Sequence, residues 1–250
     1  MGVSIPDAIG GSLKMIEATC ASTTLAEAVD IQHGLEDYPP LKYEAGQGFI
    51  PATKEEVEAQ MNPMNSLMGD KVLQHLNLGT VPSVTAEQLD SFLMGKGVLE
   101  GMGLIFLVAG MVYQVDPIYL VIHANLETGG GTSNLARGTV PGYEGYHNVY
   151  GIKAYDSNPE ENGARYAKEQ GWSSVSRAIM GGVRYIADTY IHVGQNTLYK
   201  MRWNPVNPGV HQYATDIDWA NKQATRIATT YLEFFEEVEV SWDLSFYQTE

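Results

Sequence analysis

The chain has 250 residues, 44% hydrophobic and 18% charged, enough for one large or two small domains with a sizeable core. Its 26 glycines and 15 tyrosines, with modest charge, suit a loop-rich folded protein and exclude a disordered one. Thirty acids against 15 bases, a formal charge of −15, argue against a general nucleic-acid binder or a protein held on anionic lipid, because both need a basic face. A local basic patch stays compatible with that balance. The single cysteine, Cys20, excludes an intramolecular disulfide and a multi-cysteine zinc site.

The first 25 residues hold one base, Lys14, and no apolar run of signal-peptide length, so no leader is expected. Residues 1–50 mix short apolar patches with Pro and Gly, and read as an extension or adaptor. Within them the pattern predicts a helix from Ser12 to about Val29, then the irregular stretch DYPPLKYEAGQGFIP. Thr53-Lys-Glu-Glu56 is a capping box, in which the hydroxyl and the carboxylate satisfy opposite ends of a first helical turn. Thr85-Ala-Glu-Gln88 repeats the signal before a helix that Gly95 and Gly97 should stop. Glu100–Tyr113 is apolar almost all round, which predicts a central helix buried on every side. Its most apolar part, Leu104–Tyr113, falls well short of the roughly 20 residues that cross a bilayer, so no membrane span is expected.

Asp116-Pro117 opens the next helix, Asp as N-cap and Pro at the first helical position. It runs through IYLVIHANLE and stops at Gly129-Gly130-Gly131. Residues 138–157, rich in Gly, Tyr and Pro, read as loop and short strand. Ile179, Val183, Ile186 and Tyr190 stand at helical spacing, as do Ile227, Tyr231 and Phe234. At the end the period changes to two: Val238, Val240, Trp242, Leu244 and Phe246 alternate with Glu239, Ser241, Asp243 and Ser245, which is strand spacing.

Glu127 is the first candidate for chemistry. It ends an apolar helix, with Leu120, His123 and Ala124 on or near its face. A carboxyl in the last turn meets the negative end of the helix dipole, and apolar walls add to the preference for the protonated acid. Such an acid is what protonation of a glycosidic leaving oxygen requires. A solvated glutamate at a helix end is the competing reading. His123 and Glu127 lack the second histidine of a metalloprotease helix, so no metal is expected there.

Four blocks extend this reading: HANLETGGGTSNLA at 123–136, HNVYGIKAYDSNP at 147–159, GQNTLYKMRWNP at 194–205 and HQYATDIDWA at 211–220. Together they resemble the glucosaminidase domain of bacterial autolysins, glycoside hydrolase family 73, the endo-β-N-acetylglucosaminidases of peptidoglycan. Upstream, ATKEEVEAQMNPMN at 52–65 and FLMGKGVLEGMG at 92–103 resemble the segment leading into the catalytic core of the larger autolysins. The resemblance covers about residues 50–235. It implies a mainly α (α+β), lysozyme-like fold, with a helical lobe, a small β-lobe near 138–157 and a groove for the glycan. The domain expected is 51–235, flanked by the extension 1–50 and an acidic, strand-like tail at 236–250.

Residue by residue, Glu127 matches the family's general acid in A-x-x-E-[TS], and Tyr213 and Asp216 match its Y-A-[TS]-D block. Asn148, Tyr150 and Gly151 stand at the N-x-[FY]-G-I block, where Tyr150 replaces the commoner Phe and keeps an aromatic platform for a sugar. Tyr155 and Asp156 fall in the A-Y-D block, and Trp203 is a candidate for stacking on sugar. Each has a structural alternative: an Asx turn for Asp156, a helix cap for Asp216, core packing for Trp203 and Trp172, packing or a backbone bond for His123. The implied substrate is the β-1,4 bond after N-acetylglucosamine and before N-acetylmuramic acid. A second carboxylate, from Glu144, Asp156 or Glu160, would activate water for inversion, the two carboxyl groups standing roughly 6.5–9.5 Å apart. Alternatively the substrate's own 2-acetamido oxygen attacks, oriented by Tyr213. No cofactor is implied.

The acidic total is unusual for a free hydrolase of polyanionic walls. After Arg226 come only acids, from Glu233 to Glu250. A phage protein is therefore expected, tail-associated in the virion or an endolysin in the host cytoplasm before lysis, with 1–50 and 236–250 docking on phage structural proteins. The tail strand is expected to pair with the first 50 residues, with a partner, or with its own domain. A structural assembly protein with a vestigial glycan-binding domain is the alternative.

Overall fold

A computed structural model describes residues 13–154, 158–235 and 238–249. The chain forms two compact units, one built from residues up to Asn77 together with Val193 onward, the other from Leu78–His192. The boundaries expected at 50/51 and 235/236 do not coincide with this division, since both chain ends belong to the same unit.

In the first unit, β1 (Leu13–Thr24) pairs in parallel with β4 (Val240–Gln248), Ile16 opposite Trp242 and Ala18 opposite Leu244. The expected helix from Ser12 to Val29 is thus a strand followed by the shorter α1 (Leu25–His33). β-branched Ile16, Thr19, Thr23 and Thr24 suit a strand, and pairing with β4 supplies the backbone partners that a helix would have supplied locally. Thr24 then starts α1 with a capping box closed by Glu27. Of the three pairings open to the tail, the structure adopts the one with the first 50 residues.

β4 buries both faces: Val240 and Trp242 on one, Ser241, Asp243 and Ser245 on the other. The polar set is not solvated. Instead Asp243 accepts hydrogen bonds from Lys200 Nζ at 2.5 Å, Asn196 Nδ2 at 3.1 Å and Thr19 Oγ1 at 2.8 Å. Lys200 is itself buried, on α9 (Leu198–Trp203), and burial lowers its pKa against the pull of Asp243. The antiparallel hairpin of β2 (Leu41–Glu44) and β3 (Gly48–Pro51) precedes α2 (Lys54–Met61), which starts with the Thr53/Glu56 capping box as expected. Val57 and Met61 pack with Ala28, Val29, Tyr199, Trp203 and Ile217 into one core, on which α10 (Trp219–Phe234) follows.

The second unit is helical among its described residues. It comprises α3 (Ala86–Leu93), α4 (Gly103–Tyr113), α5 (Pro117–Glu127), the single turn α6 (Asn134–Arg137), α7 (Pro159–Glu169) and α8 (Val175–Ile186). The Thr85/Gln88 box starts α3, and Asp116 caps α5 through Ile118 N and Tyr119 N, both as expected. From Pro117 to Ile122 α5 is continuously buried, and each large apolar side chain there contributes roughly 1.5–3 kcal/mol. α4 departs from expectation. Phe106, Ala109 and Gly110 face the core, while Leu104, Val108, Met111 and Val112 are exposed, because α3, α5 and α8 cover only part of its circumference. The short strands expected within 138–157 are absent among the described residues, where turns run instead. Positive φ at Gly138, Gly142, Gly145 and Gly151 bends this segment too often for a ladder, and its backbone bonds close locally, as from Gly145 N to Gly138 O at 2.9 Å. Among the described residues no helix is long and apolar enough to cross a membrane.

Two expectations about stability follow for the first unit. Lys200→Met leaves Asp243 as an uncompensated buried carboxylate and should cost about 3–5 kcal/mol in urea unfolding. His75, buried with Nε2 2.8 Å from Ser66 Oγ, has a pKa pushed down to about 3 by desolvation, with Asp243 raising it and Lys200 lowering it. The folded state therefore keeps His75 neutral, while the unfolded chain takes up a proton below its ordinary value of about 6.5. This contribution is complete above pH ~6.5 and is lost as pH falls toward ~3. The slope of stability against pH across that window should be shallower in His75→Gln.

Candidate active site

Glu127 is the last residue of α5. Leu120 and Ala124, on its core side, are fully buried, yet the Glu127 side chain is 43% exposed. The apolar enclosure expected around it is thus one-sided, and the carboxylate opens to solvent on the other. Thr128 caps the helix C-terminus, its hydroxyl donating to Ala124 O at 2.6 Å and accepting from Gly131 N at 2.7 Å. Gly129, Gly130 and Gly131 all take positive φ, so the chain leaves the helix in a tight turn that uncovers Glu127.

Gly151 stands against that carboxylate. A Cβ on Gly151 would lie 3.0 Å from Glu127 Oε2, a tight approach, and its φ of +61° favours glycine. The loop carrying Gly151 is held by the buried Asn148. Its Nδ2 donates to Ile152 O at 2.8 Å and Gly163 O at 3.2 Å, and its Oδ1 accepts from Tyr150 N at 3.3 Å and Ile152 N at 3.2 Å. Asn148 shapes the loop from beneath.

Tyr150 is 4% exposed, its ring against Gly182 and its hydroxyl 3.5 Å from Leu120 O. The structure corrects the expected sugar platform: this ring lies in the core, where burial pushes its phenol pKa well up. His123 was read as a packing residue, and it does pack, 5.3 Å between ring centroids from both Tyr119 and Tyr150. It also places Nε2 3.7 Å from Glu127 Oε1, a role that its i, i+4 spacing on α5 could have signalled.

Glu144 sits exposed on a turn, where backbone hydrogen bonds at Glu144 and Gly142 hold its carboxyl below the usual glutamate range. That suits a base or a charge stabiliser and disfavours an acid. Glu160, in the first turn of α7, accepts from Asn134 Nδ2 at 3.0 Å. Tyr155 and Asp156 lie outside the described residues.

In the first unit, Tyr213 stacks on Trp219 with centroids 4.4 Å apart. Asp216 pairs with Lys222 Nζ at 2.6 Å and accepts from Asp218 N at 3.0 Å, while the N-cap position of α10 is Asp218, which makes no side-chain cap bond. Arg202, which the sequence reading passed over, holds this block together. Its guanidinium donates to Asp216 O at 2.8 Å, Thr215 O at 3.0 Å and Gln212 Oε1 at 2.5 Å. Trp203 is 1% exposed beneath the Arg202 guanidinium and belongs to the core, so its burial corrects the expectation of sugar stacking.

Replacing Asn148 by Leu conserves size and removes four bonds, leaving the buried loop amides without acceptors. At about 1–3 kcal/mol for each orphaned group, thermal unfolding should move down clearly, and the Gly151 amide resonance should shift. A change confined to Tm, with Gly151 unmoved, would disconnect Asn148 from the geometry at Glu127.

Comparison with known proteins places this arrangement. Residues 105–232 match the glucosaminidase family model, described as mannosyl-glycoprotein endo-beta-N-acetylglucosaminidase. A bifunctional autolysin of Staphylococcus aureus (strain MSSA476) is 41% identical over 245 residues, covering 94% of this chain. The chain spans 19% of that relative's length. Among solved structures, that of Major Bifunctional Autolysin superposes with a TM-score of 0.77 at 41% identity, covering 95% of this chain and 100% of that one. S. aureus glucosaminidase B gives 0.81 at 32% identity, over 95% and 96% of the two chains. A catalytic mutant of S. aureus autolysin E in complex with the disaccharide NAG-NAM gives 0.73 at 34%, over 91% and 99%. These neighbours share the mainly helical, lysozyme-like fold class, and with more than half of its residues matched the chain belongs to the glucosaminidase family.

Proposed function

We propose that this chain is a peptidoglycan hydrolase that cleaves the β-1,4 bond between N-acetylglucosamine and N-acetylmuramic acid, with Glu127 as general acid. The observation that carries it is the half-open carboxylate at the end of a buried apolar helix, facing a glycine that leaves the space beside it empty. Its proton goes to the leaving glycosidic oxygen as positive charge develops at the anomeric carbon. The relatives support this reading: they are autolysins, and the catalytic mutant that binds NAG-NAM replaces a glutamate by alanine, the residue type that Glu127 supplies.

Two routes complete the reaction. Glu144, held ionised by its backbone bonds, activates water for inversion, or the 2-acetamido group attacks and the configuration is retained. The anomer formed first, followed by NMR, separates the two. Delivery as a phage component, tail-associated or as an endolysin, rests on the charge of −15. It is tested by whether the protein sediments with phage particles. The tail strand no longer argues for a docking partner, because β1 of the same chain pairs with it.

Purified peptidoglycan digested by the protein and reduced with borohydride should yield reduced N-acetylglucosamine ends. Glu127→Gln should lose at least about 10²-fold in rate with its circular dichroism unchanged. Reduced muramic acid would keep Glu127 and move the bond, and no new ends from folded protein would favour the binding or assembly role.

A further inference from the structure

A cleft in the second unit lies beside the loop of Gly151 and was not anticipated as a site. It has a volume of about 800 Å³, in the range of ligand-sized clefts, roughly 300–1,000 Å³. Its walls are α7 and α8, and Tyr166, Trp172, Tyr185, Arg177 and Arg184 give it its chemistry. Tyr166 stands edge-on to Trp172 at 5.5 Å and to Tyr185 at 6.2 Å, so the three rings brace one another. Gly181 makes the floor possible: a Cβ there would come within 2.0 Å of the Trp172 indole nitrogen.

The charge of this cleft is opposite in sign to that of the chain as a whole. In a chain of net −15 it presents two guanidinium groups against one carboxylate, Asp188. Lys153 adds a third cation, its ammonium 5.6 Å from the centre of the Tyr185 ring. Arg177 gives one hydrogen bond to Ser173 Oγ at 3.1 Å, and Arg184 pairs with Asp188 at 3.4 Å. A guanidinium has five donors in a fork that matches a carboxylate, so these bonds use a part of that capacity. Aromatic rings beside paired arginines suit a flat or acyl group that carries carboxylates.

The loop of Gly151 reaches the cleft wall at Tyr185. Gly151 abuts the Glu127 carboxylate, and Lys153, two residues on, stands over the cleft wall at Tyr185. Two residues reach at most about 7 Å. One loop thus borders Glu127 at Gly151 and the cleft wall at Lys153. We propose that this cleft binds the carboxylate-bearing peptide stem of the glycan's muramic acid, with Arg177 and Arg184 as its anion partners. This rests on the peptidoglycan reading above.

The test uses the full chain carrying Glu127→Gln, so that nothing is cleaved, with N-acetylmuramyl-L-alanyl-D-isoglutamate and its dimethyl ester as probes. The free acid should shift the amide resonances of Gly181 and Tyr185 and bind at least tenfold more tightly than the ester. Adding Arg177→Ala and Arg184→Ala, both at exposed positions, should remove at least tenfold of the acid's affinity. Equal affinity for acid and ester, or shifts confined to the Gly151 loop, would overturn the assignment. So would displacement of the acid by an equal concentration of glycerol phosphate, which would give the cleft to a phosphodiester polymer. Failure of the hydrolytic reading is told apart by wall lysis: lysis that survives Glu127→Gln sinks that reading, whereas lost lysis with no stem binding sinks this one.

Discussion

The buried side chain of Asn148 is the constraint on which the geometry at Glu127 depends. One amide meets four backbone groups across residues 150–163, and in doing so it replaces the ladder that this segment cannot form. With Asn148 in place, Gly151 is set into a positive φ against Glu127, and Tyr150 is driven into the core beneath His123. A buried amide left half-satisfied would cost free energy, so the loop has one low-energy arrangement and the carboxylate has defined neighbours.

The first unit solves a related problem with charge. Its two ends come from opposite ends of the chain, and a lone parallel pair of strands is a weak element in water. Asp243 on β4 and Thr19 on β1 meet Lys200 and Asn196 in one buried network that fixes the register of that pair. Such a network adds little net stability over apolar packing, but slippage by one residue would strand a buried carboxylate. Arg202, two residues from Lys200, performs the corresponding task for the segment that carries Tyr213 and Asp216.

Burial also separates residues that carry chemistry from residues that support it. Tyr150 and Trp203 share motif blocks with the functional candidates, yet both lie in the core. A motif records which residue types occur together and does not say which of them reach solvent. Glu127, Glu144 and Glu160 are the acidic candidates open to it among the described residues, and the cleft of Arg177 and Arg184 arose from no motif.

Much was legible in the residues themselves wherever the determining interaction is local. The Thr53 and Thr85 capping boxes, the Asp116-Pro117 start of α5 and the glycine stop after Glu127 each depend on contacts within a few residues, and each appears where its pattern places it. The family blocks likewise led to the fold class and to Glu127. Decisions that rest on distant partners were not legible. Residues 13–24 became a strand because β4 lies beside them, and Ser241, Asp243 and Ser245 are buried because Lys200 and β1 receive them. Segment 138–154 stayed irregular because its own glycines and Asn148 satisfy the backbone, with no strand alongside. Local chemistry wrote the helix ends and the acid; long-range pairing and burial decided which polar groups face water and which hold the fold together.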